Sequence, residues 1–216
     1  MRSASERAGL LVLVAAGVVP RSAGAEGELV DTSYGRVAGD VGLVAGVGAV
    51  VAEHGPRGRV ELHLRYLDTV GLVASYEDAE VFGGSVGPER VLAGGVELRP
   101  LFLYRWLQGH ETGRPRLDLA IDSIGIDLGA VAEQPSGAGF ASRAGFELGA
   151  GVELPLLQSA NGPWVGLYGA VRWSEGAMGA GVLDGPNDRE VILAITLAWH
   201  QVVSGHVVDF GDRAPR

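Results

Sequence analysis

The sequence predicts an all-β fold: a closed antiparallel up-and-down transmembrane β-barrel, with eight strands the expected number. Three observations carry this expectation. The chain opens with an export segment, its body alternates apolar and polar residues one by one, and the polar face mixes arginine with carboxylate and glycine.

The composition sets the frame. The 216 residues have room for one domain or two, and 35 of them are Gly. Glycine in a helix interior costs roughly 0.5–1 kcal/mol relative to Ala, so this much Gly without a collagen period disfavours a helical fold. A formal net charge of −9 argues against a nucleic-acid partner. The absence of Cys excludes disulfides, thiolate metal sites and a lipoprotein anchor.

Residues 1–25 read as a secretory signal peptide. Arg2 and Arg7 supply the positive start, Ala8–Val19 is the apolar stretch, and Ala23-Gly24-Ala25 is the cleavage site. The apolar stretch is shorter than the ~20 residues a membrane helix needs. Any membrane entered afterwards must be entered as a closed sheet, because only that satisfies the backbone. The barrel is expected over residues 26–200. Residues 201–216 are expected to be a C-terminal periplasmic extension or a short closing strand.

Seven strands are read directly, over 35–52, 58–76, 90–106, 115–132, 140–157, 163–174 and 188–200. In 35–52, Val37, Val41, Leu43, Val47 and Val51 face small residues and Asp40. In 58–76, Val60, Leu62, Leu64, Tyr66, Val70, Leu72, Ala74 and Tyr76 share one face, interrupted by Asp68, and Arg59, Glu61, His63 and Arg65 begin the other. In 90–106, Leu92, Val96, Leu98, Phe102, Tyr104 and Trp106 oppose Glu97, Arg99 and Arg105. In 115–132, Leu117, Leu119 and Ile121 oppose Asp118 and Asp122. The phase then slips at Ser123, as a β-bulge or a break between two strands would make it.

In 140–157, Phe140, Phe146, Leu148, Val152 and Leu154 oppose Arg143, Glu147 and Glu153. In 163–174, Val165, Leu167, Val171 and Trp173 oppose Tyr168 and Arg172, and in 188–200, Val191, Leu193, Ile195, Leu197 and Trp199 form the oily face. Barrels of this kind have even strand numbers. The eighth strand is expected at Glu28–Ser33 or, second, at Val202–Asp209. The first choice puts the short turns 53–57, 107–114 and 158–162 on the periplasmic side and the long loops 77–89, 133–139 and 175–187 outside.

A soluble sandwich or lipocalin-like barrel also alternates, with oil turned inward. The polar face argues the other way. Arg59, Glu61, His63, Arg65, Glu97, Arg99, Arg105, Asp118, Asp122, Arg143, Glu147, Glu153, Arg172 and Glu190 are expected to pair as a charge network in a narrow lumen, with Gly making room for them. Tyr76, Tyr104, Trp106, Phe140, Trp173 and Trp199 fall near the ends of oily faces and are expected to form the aromatic girdle at the lipid boundary.

With these segments the mature chain resembles, in architecture, the eight-stranded outer-membrane barrels of the OmpA and OmpX type. Ile195, Leu197 and Trp199 resemble the aromatic-ended last strand of outer-membrane proteins. The resemblance implies residence in the cell outer membrane, with outer-membrane lipid as the partner and the interior filled by side chains.

No cofactor, metal or catalytic residue is expected. Asp184, Asn187, Asp188 and Glu190 crowd one loop without EF-hand spacing and read as an acidic, solvated segment. Barrel enzymes acting on lipid or peptide need a base at the outer rim. On the expected topology His54, His110, His200 and His206 are periplasmic and His63 sits low in its strand, which leaves Ser75, Ser142 and Ser174 without an activator. The expected function is a structural or loop-mediated binding role without a wide pore. The alternatives are a barrel enzyme and a secreted barrel holding an apolar ligand.

Overall fold

The computed structural model describes residues 34–36, 39–83, 88–135, 137–140, 144–174 and 189–203. The expected signal peptide, the candidate strand Glu28–Ser33 and Arg143 lie outside these residues, as does most of the candidate strand Val202–Asp209.

Eight antiparallel strands close into a barrel in sequence order. They are β1 (Val41–Ala52), β2 (Gly55–Tyr66), β3 (Val70–Asp78), β4 (Pro88–Leu98), β5 (Gly125–Pro135), β6 (Gly145–Pro155), β7 (Gly162–Trp173) and β8 (Arg189–Val203). Between β4 and β5 stand two short helices, α1 (Pro100–Gln108) and α2 (Pro115–Asp122). The barrel is closed by β1 pairing β8 from Val41↔Val203 to Ala52↔Ile192. Closure leaves no edge with unpaired backbone groups.

The strand count matches the expectation, but the eighth strand comes from a different place. The stretch 58–76 is two strands, β2 and β3, joined at Leu67-Asp68-Thr69. Leu67 and Asp68 adopt positive φ of 46° and 52°, and the Thr69 N–H and hydroxyl both donate to the Tyr66 carbonyl, at 3.1 and 3.0 Å. Tyr66 and Val70 are cross-strand partners and so share a face. Because they are an even number of residues apart, the alternation resumes in the same phase after the hairpin, interrupted only by Asp68.

Two further expectations are corrected. The stretch 90–106 leaves the sheet at Leu98, and Pro100 starts α1. Proline lacks the N–H a ladder needs and suits the first turn of a helix. Pro115 likewise opens α2, so the phase slip at Ser123 marks the end of a helix, not a bulge. Arg105, Asp118, Asp122, Tyr104 and Trp106 are therefore helical residues beyond the end of the sheet. Phe140 precedes β6 and lies exposed in a loop, not on a strand.

One rim of the barrel carries the β1–β2, β3–β4, β5–β6 and β7–β8 connections. The other carries both chain ends of the barrel, the 67–69 and 156–161 turns, and the helical connection 99–124. They are called the loop rim and the terminal rim below. The short turn after β1 was expected on the same rim as 107–114 and 158–162. It is on the opposite one, so His54 stands on the loop rim.

Polarity is inverted relative to a water-soluble barrel. Leu62, Leu72, Leu193 and Ile195 are 54–65% exposed, whereas Arg57, Arg65 and Arg172 are 1–2% exposed. Apolar packing inside is confined to small clusters. Val50, Ala170, Ile192 and Ala194 lie toward the loop rim, as do Val91, Ala93 and Val131, while Leu119, Ala160 and Trp164 lie at the terminal rim. Between the rims the lumen is charged.

Candidate functional site

The inward positions of β2 alternate Arg57, Arg59, Glu61, His63 and Arg65, and they set the composition of the lumen. The charged groups form two nodes, one above the other, each built around a carboxylate shared by several cations.

The node toward the loop rim centres on Glu77. Arg172 bonds it through both terminal nitrogens, at 2.7 and 2.9 Å, Arg57 through Nε at 2.9 Å and Arg59 through Nη1 at 3.0 Å. Arg57 also holds both oxygens of Glu190 at 2.9 Å, and Arg172 donates Nε to Glu147. Arg59 donates to Glu61 at 2.9 Å and lies 5.0 Å over the Tyr168 ring, whose hydroxyl donates to Glu147 at 2.9 Å. Planar guanidinium groups suit this crossing of carboxylates because each offers donors in a rigid fork.

The node toward the terminal rim centres on Glu97 and Glu153. Arg65 donates to Glu97 at 2.8 and 3.1 Å, Arg99 donates to it at 2.9 Å, and His63 Nδ1 lies 2.9 Å from it. Glu153 meets Arg99, Arg65 at 3.0 Å and His200 Nε2 at 3.1 Å. The His200 ring stacks on Trp164 at 4.4 Å, and Asp68 of the β2–β3 turn receives Arg99 at 3.1 Å.

A third group closes the terminal rim. Arg105 from α1 binds Asp118 and, at 2.6 Å, Asp122 from α2, while Arg36 reaches Asp122 at 2.6 Å and lies 4.9 Å over Phe102. Burial pushes Asp118 upward, but the Thr112 backbone N–H and Arg105 outweigh it and hold its carboxyl below the ordinary range. At Asp122 burial prevails over Arg36 and Arg105, and the carboxyl is raised.

Of the residues expected in the lumen, Arg59, Glu61, His63, Arg65, Glu97, Arg99, Glu147, Glu153, Arg172 and Glu190 meet inside the barrel. Arg105, Asp118 and Asp122 form the separate cap just described. Arg57, Glu77, Asp68, Tyr168 and His200 belong to the network and were not among the expected members. Arg57 and Glu77 had been assigned to turns, yet each shares the parity of the polar positions next to it, and that parity was the available signal. Among the expected girdle aromatics, Tyr76, Trp173 and Trp199 lie on outward strand faces, Tyr104 and Trp106 on α1, and Phe140 in a loop.

Glycine makes room inside. A Cβ on Gly149 would stand 2.0 Å from the Tyr168 hydroxyl, so the ring occupies the space a side chain would take. Between the two nodes lies a small cavity of about 30 Å³ lined by His63, Arg65, Asp127, Tyr168 and Thr196, polar enough and roomy enough to hold water. Among the described residues, His63 Nε2, Arg65 Nη1 and Asp127 Oδ1 have no hydrogen-bond partner there. Salt-bridged side chains fill the lumen on either side. Near the loop rim His54 Nδ1 lies 3.8 Å from Glu190, whose carboxylate is already held on both oxygens by Arg57.

Fold and lumen together define a class: a filled eight-stranded barrel with an apolar wall and a paired-charge interior, which is the construction of a transmembrane β-barrel. No protein-family model matches the chain, and no curated protein does. Among solved structures it is similar to the crystal structure of Neisserial surface protein A, at 12% identity over 74% of this chain and 94% of that one, with a TM-score of 0.36.

Proposed function

We propose that this chain is an outer-membrane β-barrel protein that contributes to the envelope or binds through its loop rim, without a wide pore. The observation that carries the reading is the inversion of polarity. Aliphatic side chains cover the outside of every strand, and the arginines and carboxylates of the two nodes are buried inside. In water such an exterior would be a large aggregation-prone surface. Against acyl chains it is the favoured arrangement, and a helical crossing is not required.

The filled interior supports the absence of a wide pore. Guanidinium and carboxylate groups cross the lumen at both nodes, and the space between them is a small cavity of about 30 Å³. A soluble barrel binding an apolar ligand would need the reverse arrangement, a dry apolar centre under a charged exterior. The loop rim carries three connections of nine or more residues beside the 53–54 turn, and loops of that kind are where binding residues concentrate.

Membrane fractionation with an unboiled-versus-boiled gel comparison tests the reading. The expected result is an outer-membrane fraction whose mobility changes on boiling. Recovery in a soluble fraction overturns the proposal. In planar bilayers the purified barrel is expected to show no steady conductance above the leak, and porin-sized steps would overturn the pore-free part.

A further inference from the structure

The helix α1 has its polarity turned the wrong way for water. Its inner side carries Phe102, 2% exposed, and Arg105, which is tied to Asp118 and Asp122. Its outer side carries Leu103, Tyr104 and Leu107, which are 43%, 55% and 70% exposed. Trp106 is also exposed, on the flank. A surface helix of a soluble protein shows the opposite pattern, with aliphatic residues inward and charge outward. The single charged side chain of α1 is spent on the inner pair of carboxylates, and the outer face has none.

The position of the helix says what covers that face. β4 ends at Leu98, a residue of the apolar outer wall, and α1 begins two residues later at Pro100. α1 thus starts two residues beyond the point where β4 leaves the barrel's apolar belt, at the terminal rim. Exposed Arg114 and Arg116 follow at the same rim, where they suit phosphate groups. An exposed apolar helix face bearing Tyr, flanked by an exposed Trp, followed by exposed arginines and starting at the end of an apolar belt, has the chemistry of the headgroup–acyl boundary.

We propose that α1 lies in the lipid boundary of the leaflet at the terminal rim, with Leu103, Tyr104 and Leu107 in the acyl region. It thereby acts as a lipid-anchored collar that holds the α1–α2 cap against the end of the lumen. This rests on the membrane reading of the barrel, and the test separates the two.

The chain contains no Cys, so a single introduced thiol can be labelled without background. Leu107→Cys and, on the outer wall of β8, Leu197→Cys are each labelled with an environment-sensitive nitrobenzoxadiazole dye. Both positions are exposed, so the fold is left intact. The labelled barrels are folded into phosphatidylethanolamine–phosphatidylglycerol vesicles with nitroxide on the headgroup or along the acyl chain.

The expected result is at least a twofold loss of Leu107→Cys emission with headgroup or shallow acyl nitroxide, and a similar loss for Leu197→Cys with acyl-chain nitroxide. An unquenched, red-shifted Leu107→Cys beside a quenched Leu197→Cys puts α1 in water and overturns the proposal while leaving the barrel reading standing. An unquenched but blue-shifted Leu107→Cys means that protein, a second copy or a partner, covers the face, which also overturns it. Failure of Leu197→Cys to be quenched sinks the membrane reading itself.

Discussion

Glu77 accepts two parallel hydrogen bonds from Arg172, at 2.7 and 2.9 Å, and neither side chain retains any exposure. The same carboxylate serves Arg57 and Arg59, so one anion, on β3, neutralises cations from β2 and β7. Removing one partner from such an assembly strands the others without solvent.

Glu77→Gln is therefore expected to destabilise the barrel by about 3–5 kcal/mol, the range for breaking a buried ion pair. Equilibrium unfolding from lipid vesicles in urea measures this. A midpoint equal to that of the parent protein would show that the three arginines find other partners at no cost.

Gly149→Val is expected to cost roughly 1–3 kcal/mol by overpacking, because its Cβ would meet the Tyr168 ring and hydroxyl, the latter at 2.0 Å. Displacing the ring also breaks its 2.9 Å bond to Glu147. Adding Tyr168→Ala should recover part of the loss. A double variant no better than Gly149→Val would assign the damage to the backbone.

Charge on the outer wall should be penalised according to depth. Ile195→Arg, near the middle of β8, is expected to cost about 2–4 kcal/mol in a bilayer, and Val191→Arg, close to the loop rim, about 0–1. The comparison is made from folding free energies in vesicles. Equal small costs at both positions would contradict lipid contact at the barrel's waist.

The cap at the terminal rim should respond to acid through Asp118. Its folded carboxyl is held below the ordinary value of 3.8, so its contribution is complete above that value and is lost as the pH falls through the lower, folded one. Asp122 is shifted the opposite way, so protonating it favours the folded form as the pH drops. The stability difference between the parent protein and Asp118→Asn should be constant above about pH 5 and shrink below pH ~4. A difference that holds undiminished to pH ~2 would remove Asp118 from that role.

The period of two in stretches such as Val60–Tyr66 and Leu193–Trp199 was enough to sort oil from charge, because neighbouring side chains on any strand must point to opposite sides; the mixture of arginine, carboxylate and glycine on the polar face, not the alternation, told which face turns inward. It was not enough to locate the hairpin at Leu67–Thr69, since a three-residue turn returns the chain in phase and its one visible mark, Asp68 on the oily face, reads equally as a single interruption of a continuous strand. Nor did it separate strand from helix at Pro100 and Pro115, where apolar residues are dense enough to satisfy either period and only proline's missing donor told against the sheet. Arg57 and Glu77 read as turn residues in the sequence, although each shares the parity of the polar positions beside it. That they meet each other follows from the register of the β2–β3 hairpin, whereas Glu77 meets Arg172, some 95 residues away in the chain, only because closure of β1 on β8 brings strands distant in sequence to face one another across a lumen one side chain wide.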